Sequence, residues 1–298
     1  MCGIVGLFAK HKAIENDLGH LMADMLITMT DRGPDSAGFA LYGYEEDGWS
    51  KLTIQSANPA GDFAGLEKLL ADSLQAKVRL EVKSTHGIVH VPAGMAADVR
   101  ALLETERPGI RVMSVGDTIE IYKEVGLPAD VSARFALRGM SGTHAIGHTR
   151  MATESAVTTL GAHPFSTGPD QCLVHNGSLS NHNNIRRELK REGMRFETEN
   201  DTEVAAAYVS NCLAHGMNLG QALESSLDNL DGFYTFVVGS KRGFGVLRDP
   251  IACKPAVMAE TDDYVAFGSE YRALVNLPGI DAARVWEPEP ATVYFWER

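Results

Sequence analysis

Two hydrophobic periods divide the chain into its elements. MCGIVGLFA is almost continuously apolar and predicts a buried strand. From Asp17 to Thr30, residues Leu18, Leu21, Met22, Met25, Leu26 and Met29 recur at helical spacing. The polar loop DRGPDSAG follows, and FALYGY resumes as a strand. Further on, HAIGHTR and QCLVHNG read as strands that end in polar residues. Helices are expected in NHNNIRRELKREG, DTEVAAAYVSNCLAHG and LGQALESSLDNL. Strand-like segments close the chain: GFYTFVVGS, GFGVLRD, KPAVMAE, DYVAFGS and TVYFWER.

The segment from about 55 to 137 reads as an insertion. Leu66, Leu69, Leu70 and Leu74 predict one helix, and MAADVRALLE a second. Val78, Leu80 and Val82 alternate with charged residues, as in a half-buried strand, and IRVMSV and TIEIYKEV add two more. Helix, strand, helix, strand, strand would make a small α+β layer of structural or docking character. Strand-rich ends around a helical middle point to an α+β protein with helices packed on stacked antiparallel sheets, not to alternating βαβ units.

Composition narrows the function. The 298 residues carry 27 Lys and Arg against 39 Asp and Glu, a formal net charge of −12. Such a balance argues against a protein that grips nucleic-acid phosphates. No apolar run approaches the ~18 residues that span a bilayer, and no basic stretch precedes the apolar N-terminus, so no membrane and a cytoplasmic location are expected. The four cysteines, Cys2, Cys172, Cys212 and Cys253, are too dispersed for a zinc site or a redox pair. Apolar neighbours suggest that Cys172, Cys212 and Cys253 are small buried hydrophobes. Nor does any carboxylate–histidine cluster show metal-ligand spacing, so no metal is expected.

Cys2 differs, because removal of Met1 would make it the first residue. A terminal cysteine holds both a thiol nucleophile and, in its own α-amine (ordinary pKa ~7.7–8.0), a base. Around it, MCGIVGLFA, DRGPDSAG, GHTRMAT, AHPF, VHNGSLSN and ENDTEV occur in order. Together they resemble the class II glutamine amidotransferases, the N-terminal-nucleophile glutaminases. The likeness covers residues 1–54 and 141 to the C-terminus, including GFGVLRDPIACKPAV and YVAFGSEYRAL. It implies a four-layer αββα N-terminal-nucleophile hydrolase sandwich spanning 1–298, interrupted by the insertion.

The resemblance also implies roles. Cys2 would attack the γ-carboxamide of glutamine to form a thioester, with Asn176 and Gly177 as the oxyanion hole. Arg150 would clamp the substrate α-carboxylate, helped by the Thr153 hydroxyl, and Asp201 would take the α-ammonium. Arg32 would support the nucleophile. Plainer readings stay open for several of these: HNGS fits an Asn-Gly turn, Asp201 fits a helix N-cap, and Arg32 fits a surface turn. His148, His163 and His175 neighbour these motifs, and none is needed as a base; His148 and His175 read as interior hydrogen-bonding groups. One departure is Glu154, where the sugar-phosphate-aminating branch of the family carries histidine followed by glycine.

No acceptor domain is recognisable beside the glutaminase pattern, so a partner chain is expected to receive the product. The likeness extends to the separate glutaminase-type subunits of glutamate-synthase-like complexes, notably those of the methylamine–glutamate N-methyltransferases (N-methylglutamate synthases). That would imply glutamine or a γ-glutamyl methylamide as substrate, glutamate-synthase-like partner subunits, and FMN and an iron–sulfur cluster in those partners and not in this chain. A glutamine amidotransferase subunit serving another acceptor, and a non-catalytic scaffold that keeps the fold, are the alternatives.

Overall fold

Strand β1 (Gly3–Ala9) is buried along its whole length, and its two faces enter different cores. Ile4 and Phe8 join one apolar cluster, while Val5, Leu7 and Ala9 join another, as the two-residue period of a strand requires. In the computed structural model, which describes residues 2–152 and 156–298, the first cluster lies between two sheets and the second beneath a helix.

After β1 come α1 (Lys12–Thr28), β2 (Ser36–Tyr42), β3 (Trp49–Ser56), α2 (Pro59–Asp62), α3 (Leu66–Leu74), β4 (Arg79–Lys83) and β5 (His86–Pro92). Then follow α4 (Ala96–Glu106), β6 (Ile110–Gly116), β7 (Ile119–Val125), α5 (Pro128–Arg134), β8 (His144–Arg150), β9 (Cys172–Leu179) and α6 (His182–Arg191). The chain continues through α7 (Asp201–Ala214), α8 (Leu219–Asn229), β10 (Gly232–Gly239), β11 (Gly243–Arg248), β12 (Val257–Glu260), β13 (Tyr264–Gly268), β14 (Arg284–Trp286) and β15 (Thr292–Glu297).

A seven-stranded sheet has the order β14-β12-β13-β1-β8-β2-β7, and a four-stranded sheet the order β15-β11-β10-β9. Leu18, Met22, Met25 and Leu26 of α1 cover the outer face of the large sheet. Val204 and Val209 of α7, with Leu219 and Leu223 of α8, cover the outer face of the smaller one. Between the sheets, Ile4, Phe8, Ala40 and Ile146 meet Val174, Val237, Phe244 and Val246. The result is the αββα sandwich that the sequence leads one to expect. Gly6 and Gly147 keep the layers close: a Cβ at Gly6 would lie 2.6 Å from the Phe244 ring, and one at Gly147 would lie 2.7 Å from Met22.

A third sheet, β4-β5-β3-β6, packs Leu52, Ile54, Val89 and Val91 against Leu66 and Leu70 of α3 and Val99 and Leu103 of α4. Several elements depart from the periodicity reading. α1 begins at Lys12, five residues before Asp17. HGIVHVP forms β5, a fully paired strand that was not expected. Val82 is 56% exposed because β4 is an edge strand. TIEIYKEV is a strand, as predicted, but it pairs with β2 in the large sheet and sends Ile119 and Ile121 into the inter-sheet core. Alternation identifies a strand; it carries no information about the partner.

One buried carboxylate holds the β6–β7 turn against the body. Asp170 accepts the backbone N–H groups of Asp117 (2.8 Å), Thr118 (2.8 Å) and Ile119 (3.0 Å), and the Thr118 hydroxyl (2.9 Å). Replacing Asp170 by Ala strands these donors, and each buried unmet donor costs about 1–3 kcal/mol. We expect Asp170→Ala to lose about 3 kcal/mol or more in urea unfolding, whereas Asp170→Asn, which keeps one acceptor oxygen, loses less.

Candidate active site

Strand parity brings the chemistry to one end of the sandwich. On β9, Cys172 and Val174 point toward the large sheet, and the side chain two residues on, Asn176, does the same. Its Nδ2 donates to the Cys2 carbonyl at 3.2 Å. Cys2 directly precedes β1 and is half-buried, with Sγ 4.0 Å from the Met151 carbonyl. The Arg32 Nε donates to the same Cys2 carbonyl at 2.9 Å, and Arg32 Nη1 to Glu270 Oε1 at 2.6 Å. Arg32 is therefore a buried group beneath Cys2, not a surface turn charge.

Asn176 and Gly177 lie inside β9, paired with Thr235 and Tyr234 of β10, so HNGS is not a turn. Gly177 has φ +143°, and a Cβ there would lie 1.9 Å from the Phe233 carbonyl oxygen. Only glycine satisfies both conditions, which leaves bare backbone beside Cys2.

A cleft of about 660 Å³ opens over these groups, lined by Cys2, Arg150, His175, Asn176, Gly177 and Asp201 among others. Arg150 ends β8, is buried, and donates from Nη1 to the Ala156 carbonyl at 3.4 Å. The next turn is tied down by Asp35, whose Oδ2 accepts the Ala152 N–H at 2.8 Å. Thr153, Glu154 and Met1 lie outside the described residues, so the Thr153 hydroxyl and the Glu154 departure are not located.

Asp201 is the first residue of α7, but Asn200 is its cap: Asn200 Oδ1 accepts the Thr202 N–H at 2.9 Å. Asp201 instead uses Oδ2 to accept the Leu179 N–H at 2.9 Å, and Oδ1 lies 3.7 Å from His175 Nδ1. Burial acts to raise its pKa. The hydrogen bonding and charge of His175, the Leu179 N–H and the charge of His182 outweigh this and hold the carboxyl at about 2. The cleft thus presents a guanidinium at one wall and a carboxylate at another.

Three histidines neighbour these motifs, and the structure joins two of them, His163 and His175, through one hydroxyl. Thr202 Oγ1 lies 2.8 Å from His163 Nε2 and 3.0 Å from His175 Nδ1. His148 stacks on His163 at 4.0 Å between ring centroids and directs Nε2 to the His175 carbonyl at 3.2 Å. Burial pushes His148 down to about 3 and His163 well below the ordinary imidazole value. His148 and His163 are therefore neutral, so neither adds a cation beside Arg150 and Asp201. Glu270, and Ser269, whose hydroxyl accepts the Ile4 N–H at 2.9 Å, are further supports that sequence reasoning missed. YVAFGSEYRAL contained both, but only as part of a resemblance.

The remaining cysteines divide. Cys172 and Cys212 are buried, as expected, but Cys253 is exposed, in the loop that follows β11. Among the described residues, no group of three or more His, Cys, Asp and Glu side chains is arranged to hold a metal ion. Among them, too, no helix is long and apolar enough to cross a membrane.

Comparison with known proteins gives the family and the fold. The sequence pattern of the glutamine amidotransferase domain matches residues 148–276. The chain is 70% identical over 297 residues to the glutamine amidotransferase-like protein GlxB of Rhizobium meliloti, covering 100% of this chain and 98% of the relative. It is 30% identical over 183 residues to an amidophosphoribosyltransferase of Methanocaldococcus jannaschii, a match that spans 38% of that protein. A solved glutamine phosphoribosylpyrophosphate amidotransferase from B. subtilis superimposes with a TM-score of 0.63 at 19% identity, over 99% of this chain and 47% of that one. This last likeness concerns the fold.

The neutral histidines set an acid limit on stability. Below about pH 6.5 the unfolded chain takes up protons that native His148 and His163 refuse, so stability falls as pH drops toward their native values. Each such ring contributes up to ~1.4 kcal/mol per pH unit. Asp201, whose folded pKa is depressed, adds its loss only below about pH 4. We expect urea midpoints to fall steadily from pH 7 to pH 5, and His163→Gln to show a shallower dependence; an unchanged slope in that variant would contradict a neutral His163.

Proposed function

Given that the chain belongs to the glutamine amidotransferase family, we propose that it is a glutamine-amide-cleaving subunit working through Cys2 once Met1 is removed. The observation that carries this reading is the convergence of Cys2, Asn176, Gly177, Arg150 and Asp201 on one cleft. The Cys2 sulfur attacks the γ-carboxamide carbon while the freed α-amine takes the thiol proton. The oxyanion that forms is met by the Asn176 side-chain amide and the Gly177 backbone N–H, donors of a kind worth about 2.7–4 kcal/mol each. The C–N bond then breaks, and the α-amine returns the proton to the leaving nitrogen as ammonia. Water attacks the thioester carbon and releases glutamate and the thiol.

The two ends of the substrate call for opposite charges. Arg150 offers a planar fork to the α-carboxylate, and Asp201 an ionised carboxylate to the α-ammonium. Neutral His148 and His163 add no competing cation. Arg32 holds the Cys2 carbonyl and so aims the first residue.

The finer reading is that this is the glutaminase-type component of a methylamine–glutamate N-methyltransferase, cleaving a γ-glutamyl amide or methylamide beside glutamate-synthase-like partners. The match over 98% of an amidotransferase-like relative is compatible with it. FMN and an iron–sulfur cluster would then belong to the partner chains. The described residues of this chain, with their dispersed cysteines, do not fit a cluster, and no step above passes through either group. Delivery of ammonia to a different acceptor chain is the alternative.

Purified protein should have lost Met1 by intact mass and should release ammonia and glutamate from L-glutamine. Cys2→Ala should abolish this, and Asn176→Ala should lower kcat about 10²–10³-fold. Full activity in Cys2→Ala, or a wholly retained Met1, would overturn the mechanism. Reconstitution with the partner chains should yield N-methylglutamate from methylamine and glutamate in a Cys2-dependent manner. Glutamine-dependent amination of another acceptor, unaffected by methylamine, would favour the alternative.

A further inference from the structure

The wall of the cleft that carries Asp201 is one loop thick. Residues 198–202 line the cleft on one side. Behind them, between that loop and α4, β6 and β7, lies a second cavity of about 410 Å³, lined in part by Met113, Phe165, Met194 and Phe196. Thr198 faces both. The loop joining α6 to α7 is irregular, so its backbone groups need partners outside a helix or sheet.

Two buried side chains of opposite charge supply them. Glu203, from the first turn of α7, accepts the Glu197 N–H at 2.7 Å, the Thr198 N–H at 2.8 Å and the Thr198 hydroxyl at 2.7 Å. Arg186, from α6, donates to the carbonyls of Thr198 and, at 3.1 Å, Asn200, with its guanidinium 5.0 Å above the Phe196 ring. Arg186 is 4% exposed and Glu203 5%. Both act on the loop: the carboxylate nearest Arg186 among the described ion pairs is the exposed Glu199, at 3.7 Å. Charge-assisted bonds of this kind are about twice as strong as neutral ones. Neither residue lines the cleft itself.

We propose that Arg186 and Glu203 are positioning residues that set affinity for the amino-acid end of the substrate. They hold Thr198 from both sides, N–H and carbonyl, and so fix Asn200 and Asp201 against β9, where Asp201 accepts the Leu179 N–H. Without either charge, the loop relaxes into the cavity behind it and the carboxylate leaves its station opposite Arg150. Cys2 and Asn176, on other elements, keep theirs. The inference rests on reading the cleft as a glutamine-type amide site.

The test compares wild type with Arg186→Met, Glu203→Gln and the conservative Arg186→Lys. Each is checked by thermal melting, glutamine hydrolysis kinetics, alkylation of Cys2 by iodoacetamide (read on the Cys2 peptide by mass spectrometry) and amide exchange over residues 196–201. Arg186→Met and Glu203→Gln should raise KM for L-glutamine about ten-fold or more with kcat changed less than about three-fold. Iodoacetamide has no amino-acid end, so its rate should hold. Exchange over 196–201 should accelerate, and Arg186→Lys should recover most of the affinity. Unchanged KM and exchange, or kcat and alkylation falling in step with KM, would overturn the proposal. If wild type does not hydrolyse glutamine, the reading of the cleft fails separately. Amide exchange and calorimetric binding of L-glutamate then decide the clamp: both unchanged in the variants would overturn it, and faster exchange with weaker binding would uphold it.

Discussion

Everything at this site depends on how one backbone carbonyl is held. Cys2 precedes the first paired residue of a strand, the place where a strand would ordinarily fray. Its carbonyl accepts one hydrogen bond from Arg32, beneath the large sheet, and another from Asn176, on the facing sheet. Two donors from two layers fix the residue in direction as well as position. The Arg32 charge is balanced by Glu270, which is in turn paired with Arg272 at 2.6 Å. Hydrogen bonds and charge from those two arginines, led by Arg32, lower the Glu270 pKa. The sandwich core between the sheets is what brings Asn176 within reach: Val174 packs in the same cluster as Ile4, and the parity of both strands does the rest.

Around that anchor, the cleft separates its charges by element. Arg150 comes from the end of a central strand and Asp201 from the start of a helix. The arrangement suits a ligand with a carboxylate and an ammonium a few bonds apart, and the bare backbone at Gly177 leaves room for its far end. Such a site tolerates little displacement, because hydrogen-bond and charge complementarity fall away over about an ångström. Contacts from Arg32, Asp35, Arg186 and Glu203, none of which lines the cleft, hold the groups that do.

Much of this was legible in the sequence. The buried first strand, the α1 helix, the amphipathic helices α6 to α8 and the closing strands all announce themselves by period. Cys2, Arg150, Asn176, Gly177 and Asp201 lie in motifs whose order is characteristic. What escaped was set by distance along the chain. Asp201 reads as a helix cap because ENDTEV offers two candidate caps, and only the helix register shows that Asn200 serves. β7 reads as part of the insertion because its neighbours in sequence lie there, while its hydrogen bonds go to β2. Cys253 reads as buried from its apolar neighbours, yet the loop after β11 turns it outward.

The sequence by itself determined the element types, the parity of the central strands and the family of the site, since these follow from local periodicity and from short ordered motifs. The tertiary structure alone decided which groups meet. Arg32 reaches Glu270 across 238 positions and Asn176 reaches Cys2 across 174. His148, His163 and His175 become one cluster only when Thr202 stands between two of them. Burial, which shifts the charges of these groups, is a property of packed layers and has no local signature. The same holds for Arg186 and Glu203: each reads as an ordinary helix charge until a loop is folded between them.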